Sequence, residues 1–343
     1  MTNRKLKVLQ IGAGSMGTRR IRDLLARNNI QLALFDLRDD RRIRAANRFG
    51  INTYDNLEDA MDWEPDALVI STPPNQHAEY IDCALEKGLH SFCEANVWTY
   101  DFNKIEKISE QKNIVTVTSS SLIFSPIARE VKRIVKEELG NLHSYGMNLS
   151  TYLPTWHPGE GTEYYARNRS TSAAREMVPF ELGYLNGIFG YPEYVAGYLG
   201  RRGELEEQSE DTWCLQMKLE NGGAGQLSIM MGCPVIVREG WAAGSYGYIK
   251  FDILTGDICK NIPCKGMNET IHCGGQKDIL ENIYAEEINC FINRIMGMDA
   301  DTYTYRMGAI ASGALAAAEK SFLSKKIEKV EPMIQPAILP DMY

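Results

Sequence analysis

The feature that most constrains this chain is a glycine-rich turn between a short apolar run and a helical pattern. The apolar run Lys7–Ile11 leads directly into the turn, and the helical pattern extends from Arg19 to Arg27. Glycines at this spacing permit a tight turn, a close approach of a pyrophosphate to the backbone, and close packing of the helix on the sheet. The amino end of the helix adds N–H groups that bind phosphate. The segment therefore predicts a dinucleotide-binding unit with contacts from Gly12, Gly14, Ser15, Met16 and Gly17.

A second strand and the acid at its end support this prediction. The apolar segment Gln31–Phe35 ends in Asp36, which lies 24 residues after Gly12. A carboxylate about 20 residues beyond the glycines accepts hydrogen bonds from the ribose hydroxyls of NAD. The alternative is that Asp36 is an ordinary turn or helix-capping residue. Arginines at positions 38, 41 and 42 could hold the 2′-phosphate of NADP, but Asp36 would repel it, so NAD is favoured over NADP.

Length and charge limit the class of protein. A chain of 343 residues predicts two domains. The net charge of −8 argues against a nucleic-acid partner, because no basic cluster rises above the general acidity. No apolar run reaches the roughly 18 residues of a membrane span. The first strand begins within a few residues of the amino terminus without a signal segment, so we expect a cytoplasmic protein.

The eight cysteines do not predict a metal site. Cys259, Cys264, His272 and Cys273 are the cluster that needs consideration, and their spacings match no zinc pattern. We expect reduced thiols scattered over strands and loops, and no metal.

The order of secondary-structure patterns predicts two domains, at residues 1–122 and 123–343. The first 120 residues alternate strands and helices, which is typical of a parallel, doubly wound sheet. From Leu142 onward, alternating runs are separated by turns such as Asn221-Gly222, which is the signal of antiparallel strands. Helical patterns follow at Glu281–Met296 and Met307–Ser324, and the last helix could return to pack near the first domain.

Further segments resemble a known family. The segments Ser71–His77, Ala84–Gly88 and His90–Glu94 are similar to motifs of the Gfo/Idh/MocA oxidoreductases, named for glucose-fructose oxidoreductase and inositol dehydrogenase. Gly190–Val195 and Tyr305–Lys325 extend the resemblance into the second half. The resemblance implies an amino-terminal Rossmann domain, a carboxy-terminal α+β domain with a large, mostly antiparallel sheet, and a homo-oligomer, either a dimer or a tetramer. It also extends the cofactor-binding set to Ser71, Thr72, Pro73, Asn75, His77 and Glu94, although His77 begins a helix and could be purely structural.

The chain departs from the family at its catalytic positions. Where the family carries Glu-Lys-Pro, this chain has Glu94-Ala95-Asn96. Where the family carries Asp and, four residues later, His, this chain has Glu176 and Phe180. Hydride transfer from an alcohol needs a group that takes the hydroxyl proton. We therefore predict that the irregular segment 152–174 or the helix after it supplies that group, with His157, Tyr165 and Glu176 as candidates.

These observations predict an NAD-dependent oxidoreductase that acts on a hydroxyl of a sugar, a cyclitol or a sugar nucleotide. The segment around Trp156 and Tyr164-Tyr165 resembles a subgroup associated with carbohydrate and surface-polysaccharide biosynthesis. Its aromatic faces suit sugar rings, and Arg167, Arg169 and Arg175 could pair with an anionic group. Two alternatives stay open because the usual Lys and His are missing. One is an enzyme that retains NAD for elimination, hydrolysis or epimerisation, and the other is a catalytically inactive sensor of dinucleotide or sugar.

Overall fold

The structure, a computed structural model, describes residues 4–95, 101–156, 173–202 and 210–333. The chain divides into two compact units. The first contains residues 1–119 and 282–306, and the second contains residues 120–281 and 307–343.

The first unit alternates strands and helices along the chain. Its strands in the described part are β1 (Leu6–Ile11), β2 (Ile30–Phe35), β3 (Asn52–Tyr54), β4 (Ala67–Ile70), β5 (His90–Cys93) and β6 (Thr116–Thr118). The helices between them are α1 (Ser15–Leu25), α2 (Asp39–Phe49), α3 (Leu57–Asp62), α4 (His77–Lys87) and α5 (Phe102–Lys112). The strands form one sheet in the order β3-β2-β1-β4-β5-β6, and every neighbouring pair is parallel. The strand order reverses at β1 and β4, where ligands bind in open sheets of this kind.

The central strands are apolar along their length because both of their faces are covered. Val8, Leu9 and Ile11 of β1 are fully buried, as is every residue of β4. Such continuous apolar runs are typical of parallel sheets with helices on both sides.

The second unit begins with a helix and contains the larger sheet. Its strands in the described part are β7 (Leu142–Tyr152), β8 (Pro192–Gly200), β9 (Thr212–Leu219), β10 (Ala224–Met230), β11 (Gly232–Gly244), β12 (Gly247–Asp252), β13 (Asp257–Ile262), β14 (Met267–His272) and β15 (Glu328–Lys329). Its helices are α6 (Pro126–Glu137), α7 (Ala173–Phe189) and α9 (Tyr305–Ser324), and α8 (Gln276–Ile295) lies across the division between the units.

The sheet of the second unit has the order β14-β13-β12-β11-β7-β10-β9-β8-β15. All of its pairs are antiparallel except β7 with β10. The predicted fold class, a Rossmann domain followed by an α+β domain with a mostly antiparallel sheet, is confirmed.

The two units differ from the predicted domain limits in two places, the first of which is residues 282–306. They were assigned to the second domain, 123–343, but they group with the first unit. The physical reason is the apolar face of α8: Ile288, Phe291 and Ile292 join a core that includes Val8 and Val69. The boundary in the first half lies after Ser119 and not after residue 122.

One local prediction also differs from the structure. Helix α1 begins at Ser15 and not at Arg19, which places Ser15 and Met16 in its first turn. Strand β13 contains a lysine, Lys260, at a buried position. Its ammonium group pairs with Glu138 at 2.7 Å and Glu269 at 2.9 Å.

No helix in the described part of the chain combines the length and the apolarity that crossing a bilayer requires.

Candidate functional site

The glycine turn follows β1 at the carboxyl edge of the first sheet. Gly12 has a φ of +84°, and a Cβ atom there would lie 2.8 Å from the carbonyl oxygen of Ser71. A Cβ atom at Gly17 would lie 2.0 Å from the carbonyl oxygen of Gly12. Both distances are shorter than any real contact, so the fold itself requires these two glycines.

Gly14 differs from the other two glycines because the fold does not require it. It caps α1 in an extended conformation, with φ −67° and ψ −159°. A Cβ atom there would approach only the guanidinium group of Arg41, at 3.7–3.9 Å, which is an ordinary contact. Ser15 and Met16 follow in the first turn, where unpaired N–H groups and the helix dipole favour an anion. A pyrophosphate would fit here, because the backbone at Gly14 is open to it.

Asp36 lies beside this turn at the end of β2. Its Oδ2 accepts a hydrogen bond from the N–H of Ala13 at 2.7 Å, and its Oδ1 accepts one from the N–H of Arg38 at 2.9 Å. The side chain is only 6% exposed, and the Arg41 guanidinium lies 3.8 Å from Oδ2. The predicted ribose acceptor is therefore fixed against the glycine turn, 23 residues away along the chain.

The loop after β4 brings Ser71, Thr72 and Pro73 to the same edge. The N–H of Ser71 donates to the carbonyl oxygen of Ile11 at 2.8 Å, which joins the ends of β4 and β1. A single turn of 3-10 helix, Pro74–Gln76, then leads into α4, with Asn75 exposed on it.

His77 is the first residue of α4 and is fully buried. Its Nε2 lies 2.8 Å from the carbonyl oxygen of Thr72, so the neutral ring donates its Nε2 proton to that oxygen. Burial lowers the pKa of His77 to about 4, against the opposing effects of the Thr72 hydrogen bond and the Glu94 charge. A histidine that stays neutral at neutral pH and is held in this way fixes the loop after β4.

Glu94 follows β5 and lies beside Ser71, with 3.5 Å between the Ser71 Oγ and the Glu94 Oε1. Arg20 of α1 binds both oxygens of this carboxylate, with Nε at 2.7 Å from Oε1 and Nη2 at 3.3 Å from Oε2. The Glu94 side chain is 14% exposed. The next residue, Ala95, provides no side chain that could replace the family lysine.

Sequence reasoning missed Arg20, which lies at the centre of a buried network. Its side chain is fully buried, and its Nη2 also binds the carboxylate of Glu287 at 2.5 Å, while Nη1 donates to the carbonyl oxygen of Tyr284 at 2.9 Å. The hydroxyl of Ser119 lies 3.0 and 3.1 Å from the two Glu287 oxygens. Burial alone would lower the pKa of Arg20. The charges and hydrogen bonds of Glu94 and Glu287 outweigh this effect, so the pKa lies above its ordinary value.

One signal for Arg20 was present in the sequence. In α1 the buried positions include Gly17, Ile21 and Leu24, and Arg20 lies on the same stripe. An arginine on the apolar face of a short helix needs a buried anion.

In the second unit, α7 carries Glu176 and Phe180, which the resemblance predicts at the positions of the family's Asp and His. Glu176 lies in its first turn and is partly exposed, and Phe180 lies one turn later. The Arg238 guanidinium lies over the Phe180 ring, 5.6 Å from its centroid, and pairs with the fully buried Glu181. The hydroxyl of Tyr184 donates to Glu181 at 3.0 Å, and burial, together with the Glu181 charge, raises the pKa of Tyr184. An aromatic–arginine–carboxylate cluster thus surrounds Phe180, the residue predicted at the position of the family histidine.

The start of α7 is anchored by a second buried ion pair. Arg175 binds Glu319 of α9 through Nε at 2.8 Å and Nη2 at 3.3 Å, and both side chains are 3% exposed. The sequence predicts Arg175 as a partner for an anionic group of a ligand. In the structure, its guanidinium group binds the carboxylate of Glu319.

His157 and Tyr165 lie outside the described residues, as do Tyr164, Arg167 and Arg169. The last described residue before them is Trp156, whose ring N–H donates to the Thr151 hydroxyl at 2.9 Å. Among the described residues, no three His, Cys, Asp or Glu side chains are grouped as metal ligands would be. His272 pairs with Asp257 at 2.8 Å, and Cys259 contacts Thr270 at 3.6 Å.

Comparison with known proteins shows a family match in the first domain. Residues 6–118 match the model of GFO_IDH_MocA, described as an oxidoreductase family with an NAD-binding Rossmann fold. The match to the Gfo/Idh/MocA family lies within the first domain. The resemblance predicted from the motifs and the prediction of an NAD-binding domain are therefore confirmed.

Individual relatives agree with this assignment. The chain is 26% identical over 149 residues to D-xylose 1-dehydrogenase (NADP(+)) 2 of Haloferax volcanii, a match that covers 42% of this chain and 46% of that protein. The chain therefore spans less than half the length of this relative.

Solved structures extend the similarity to both domains. A levoglucosan dehydrogenase in complex with NADH and levoglucosan has a TM-score of 0.82 at 17% identity, covering 95% of this chain and 100% of its own. The WlbA dehydrogenase of Bordetella pertussis, in complex with NADH and UDP-GlcNAcA, has a TM-score of 0.78 at 16% identity, covering 96% of this chain and 99% of its own. At these identities the similarity establishes the two-domain fold.

Proposed function

We propose that this protein is an NAD-dependent oxidoreductase that acts on a hydroxyl of a sugar, a cyclitol or a sugar nucleotide. The observation that carries the proposal is the open glycine at position 14. The fold tolerates a side chain there, with its nearest contact at 3.7 Å, yet a Cβ would block the approach of a pyrophosphate to the backbone. The carboxylate of Asp36 lies beside this turn, where it could accept hydrogen bonds from the adenosine ribose of the cofactor.

The proposed cofactor contacts follow the carboxyl edge of the first sheet. Residues 12 and 14–17 would surround the pyrophosphate, and Asp36 would accept from the adenosine ribose. Ser71, Thr72, Pro73, Asn75 and Glu94 follow β4 and β5 at the same edge, where the nicotinamide half would lie. His77 would position the loop without touching the cofactor, because its Nε2–H donates a hydrogen bond to the carbonyl oxygen of Thr72. Bound NAD would supply the acceptor for a hydride.

Proton transfer in this chain would need a different side chain from the Lys and His that the family uses. Ala95 has no titratable group, and Phe180 is covered by Arg238, which stays protonated at neutral pH. We propose His157 as the acid/base, because an unperturbed imidazole both gives and takes a proton near neutral pH. Tyr165 and Glu176 are the next candidates.

The substrate class rests on the relatives and on the aromatic segment that includes Trp156. Relatives named as acting on or binding D-xylose, levoglucosan and UDP-GlcNAcA are all carbohydrate enzymes. A role in carbohydrate or surface-polysaccharide metabolism is part of the proposal. So are a cytoplasmic location, a homo-oligomeric assembly and the absence of nucleic-acid and membrane partners.

A second candidate function follows from the Phe180–Glu181–Arg238 cluster. A fixed ion pair at the family's histidine position suits a protein that binds dinucleotide or sugar without turnover. It also suits an enzyme that retains NAD through a cycle of oxidation and reduction during elimination, hydrolysis or epimerisation.

Two measurements on the purified protein separate these functions. Denaturation followed by identification of the released nucleotide detects retained NAD. A panel of sugars, cyclitols and sugar nucleotides, followed at the absorbance of reduced nicotinamide, detects net oxidation. Turnover with exchangeable NAD is the expected result. Dinucleotide binding with no turnover on any substrate would favour the sensor.

The acid/base assignment has its own test once a substrate is known. His157→Ala should lower kcat by about 100-fold or more with unchanged affinity for NAD. A variant that keeps its kcat but unfolds at a lower temperature would show that His157 only packs against the loop.

A further inference from the structure

We infer that the outer edge of the first sheet, along β6, binds an extended peptide segment that carries lysine or arginine side chains. A cleft of about 600 Å³ lies along this edge, between the end of α5 and the chain that follows α8. β6 is the last strand of the sheet, and β4 and β5 separate it from β1 and the glycine turn. The cleft is therefore a different surface from the proposed cofactor site.

The backbone of β6 presents hydrogen-bonding groups to the cleft. The carbonyl oxygen of Val115 and the N–H of Ser119 bond to β5, at 2.9 and 2.8 Å. Backbone groups alternate between the two sides of a strand, so those of Thr116 and Thr118 point away from β5. The N–H of Thr118 follows this direction, because it donates to the carbonyl oxygen of Tyr303 at 3.1 Å. The N–H and the C=O of Thr116 therefore face the cleft, where the backbone of an added strand would bind them.

The walls of the cleft suit the side chains of such a strand. The hydroxyl groups of Ser109 and Thr116 lie 2.8 Å apart and join α5 to β6. Met298, in the chain after α8, is 44% exposed, and Ile114 and Val115 add further apolar lining. An extended segment that pairs with β6 would pack alternate apolar side chains on this surface.

The helix ends at the cleft favour a cation. Asn113 caps the end of α5 and Gly297 follows the end of α8, and both residues line the cleft. Each helix therefore places the negative end of its dipole beside the cleft. Glu110 is exposed in the last turn of α5, where the dipole disfavours a carboxylate. Lys112 of the same turn does not compensate it, because its ammonium group donates to the carbonyl oxygen of Glu86 at 2.7 Å.

The arginines near the cleft have other partners. Arg306 binds both carboxylate oxygens of Glu106, and Arg294 pairs with Asp299 at 3.5 Å. Within the part of the chain that the structure describes, no cation forms an ion pair with Glu110. This carboxylate is therefore available to a cationic group of a ligand.

An extended peptide is the ligand that matches both the backbone and the charge of the cleft. A small cation would meet the carboxylate of Glu110 but would leave the N–H and the C=O of Thr116 to water. The backbone of an extended segment supplies an acceptor and a donor for these two groups. A lysine or arginine of that segment would interact with Glu110 and with the two helix ends.

Three short blocked peptides test the inference by calorimetric titration of the native protein. The first alternates valine and lysine, and the second has glutamate in place of lysine. The third is the first peptide with every backbone nitrogen methylated, so that it keeps the charge but donates no backbone hydrogen bond. We expect submillimolar binding of the first peptide, and binding of the other two that is weaker by about 10-fold or more. At a concentration of about ten times its Kd, the first peptide should slow the amide hydrogen exchange of Thr116 about 10-fold.

Charge reversal at Glu110 separates binding in the cleft from a general attraction to an acidic chain. Glu110→Lys should weaken the valine–lysine peptide about 5- to 20-fold, because it replaces an attraction by a repulsion. The matched control is Glu58→Lys, which reverses an exposed charge on α3, a helix that packs on β2 and β3 at the other edge of the sheet. The control should change the affinity by less than about twofold. Thermal unfolding of both variants checks that the affinities refer to folded protein.

Four results would overturn the inference. Three of them are no binding of the first peptide at millimolar concentration, equal binding of the methylated peptide, and equal weakening by the two substitutions. The fourth is protection of the Thr116 amide that is already present in concentrated native protein and is lost on dilution, because a second copy of this chain would then occupy the edge. None of these results bears on the proposed function, which the nucleotide-release and substrate-panel measurements test.

Discussion

Replacing Arg20 with methionine removes a buried cation while keeping most of the side-chain volume. In the native protein the guanidinium group makes two bonds to Glu94, one to Glu287 and one to the carbonyl oxygen of Tyr284. After the substitution, Glu94 can regain water because it is already 14% exposed, whereas Glu287 is only 4% exposed. Removal of one partner from a buried pair costs about 3–5 kcal/mol, mostly through the charge left behind. We therefore expect Arg20→Met to lower the free energy of unfolding of the first unit by about 4 kcal/mol.

The pH dependence of this loss has a definite sign. The pKa of Arg20 is raised above its unfolded value, so its stabilising contribution is complete at every pH below that unfolded value, and the native network does not change near neutral pH. In Arg20→Met the stranded Glu287 should have a raised pKa, because burial disfavours its charged form. The variant should therefore recover stability relative to the native protein as the pH falls from 7 to 5. Below the raised pKa of Glu287 the recovery is about 1.4 kcal/mol for each pH unit.

Amide hydrogen exchange in β1 and β5 measures this free energy for the first unit separately from the second. The matched variant is Arg20→Met combined with Glu287→Gln, which removes the stranded charge and should recover at least half of the loss. A loss below about 1 kcal/mol, or a loss that neither low pH nor the second substitution relieves, would refute the account of a charge-compensated network.

Three further predictions concern the cofactor edge. As the pH falls from 6.5 to about 4, the unfolded state takes up a proton at His77 and the folded state does not. The free energy of unfolding should therefore decrease by about 3 kcal/mol over that range. His77→Gln should remove this part of the slope in urea unfolding, and an unchanged slope would assign it to other groups. Gly17→Ala should destabilise the protein by about 1–3 kcal/mol because its Cβ would meet the Gly12 carbonyl, whereas Gly14→Ala should unfold like the native protein. Asp36→Ala should weaken NAD binding by about 1–3 kcal/mol in calorimetry, and an unchanged affinity would remove Asp36 from the ribose site.

The parts of the fold that the sequence predicts are those set by local patterns. The glycine turn and the helix starting at His77 depend on residues close together in the chain. The alternation of strand and helix then limits the first unit to a doubly wound sheet. Asp36 could be placed near the turn because parallel strands end at a common edge.

The rest depends on partners that are distant in sequence. Arg20 meets Glu94 and Glu287, which lie 74 and 267 residues further along the chain. The apolar face of α8 has a helical pattern whichever domain it packs on, so its place in the first unit could not be predicted. Lys260 of β13 is buried with Glu138, a partner that lies 122 residues away in the chain.

The central claim is that the turn at Gly14 holds NAD and that the protein transfers a hydride to it from the carbon that bears a carbohydrate hydroxyl. The most direct measurement compares native protein and Gly14→Val for the reduction of NAD by the best substrate of the sugar and cyclitol panel. The account predicts formation of reduced nicotinamide by the native protein. It predicts none by Gly14→Val at the same NAD concentration, with unchanged circular dichroism and thermal unfolding. Equal rates of reduction by the two folded proteins would contradict the claim, because the cofactor would then be bound elsewhere.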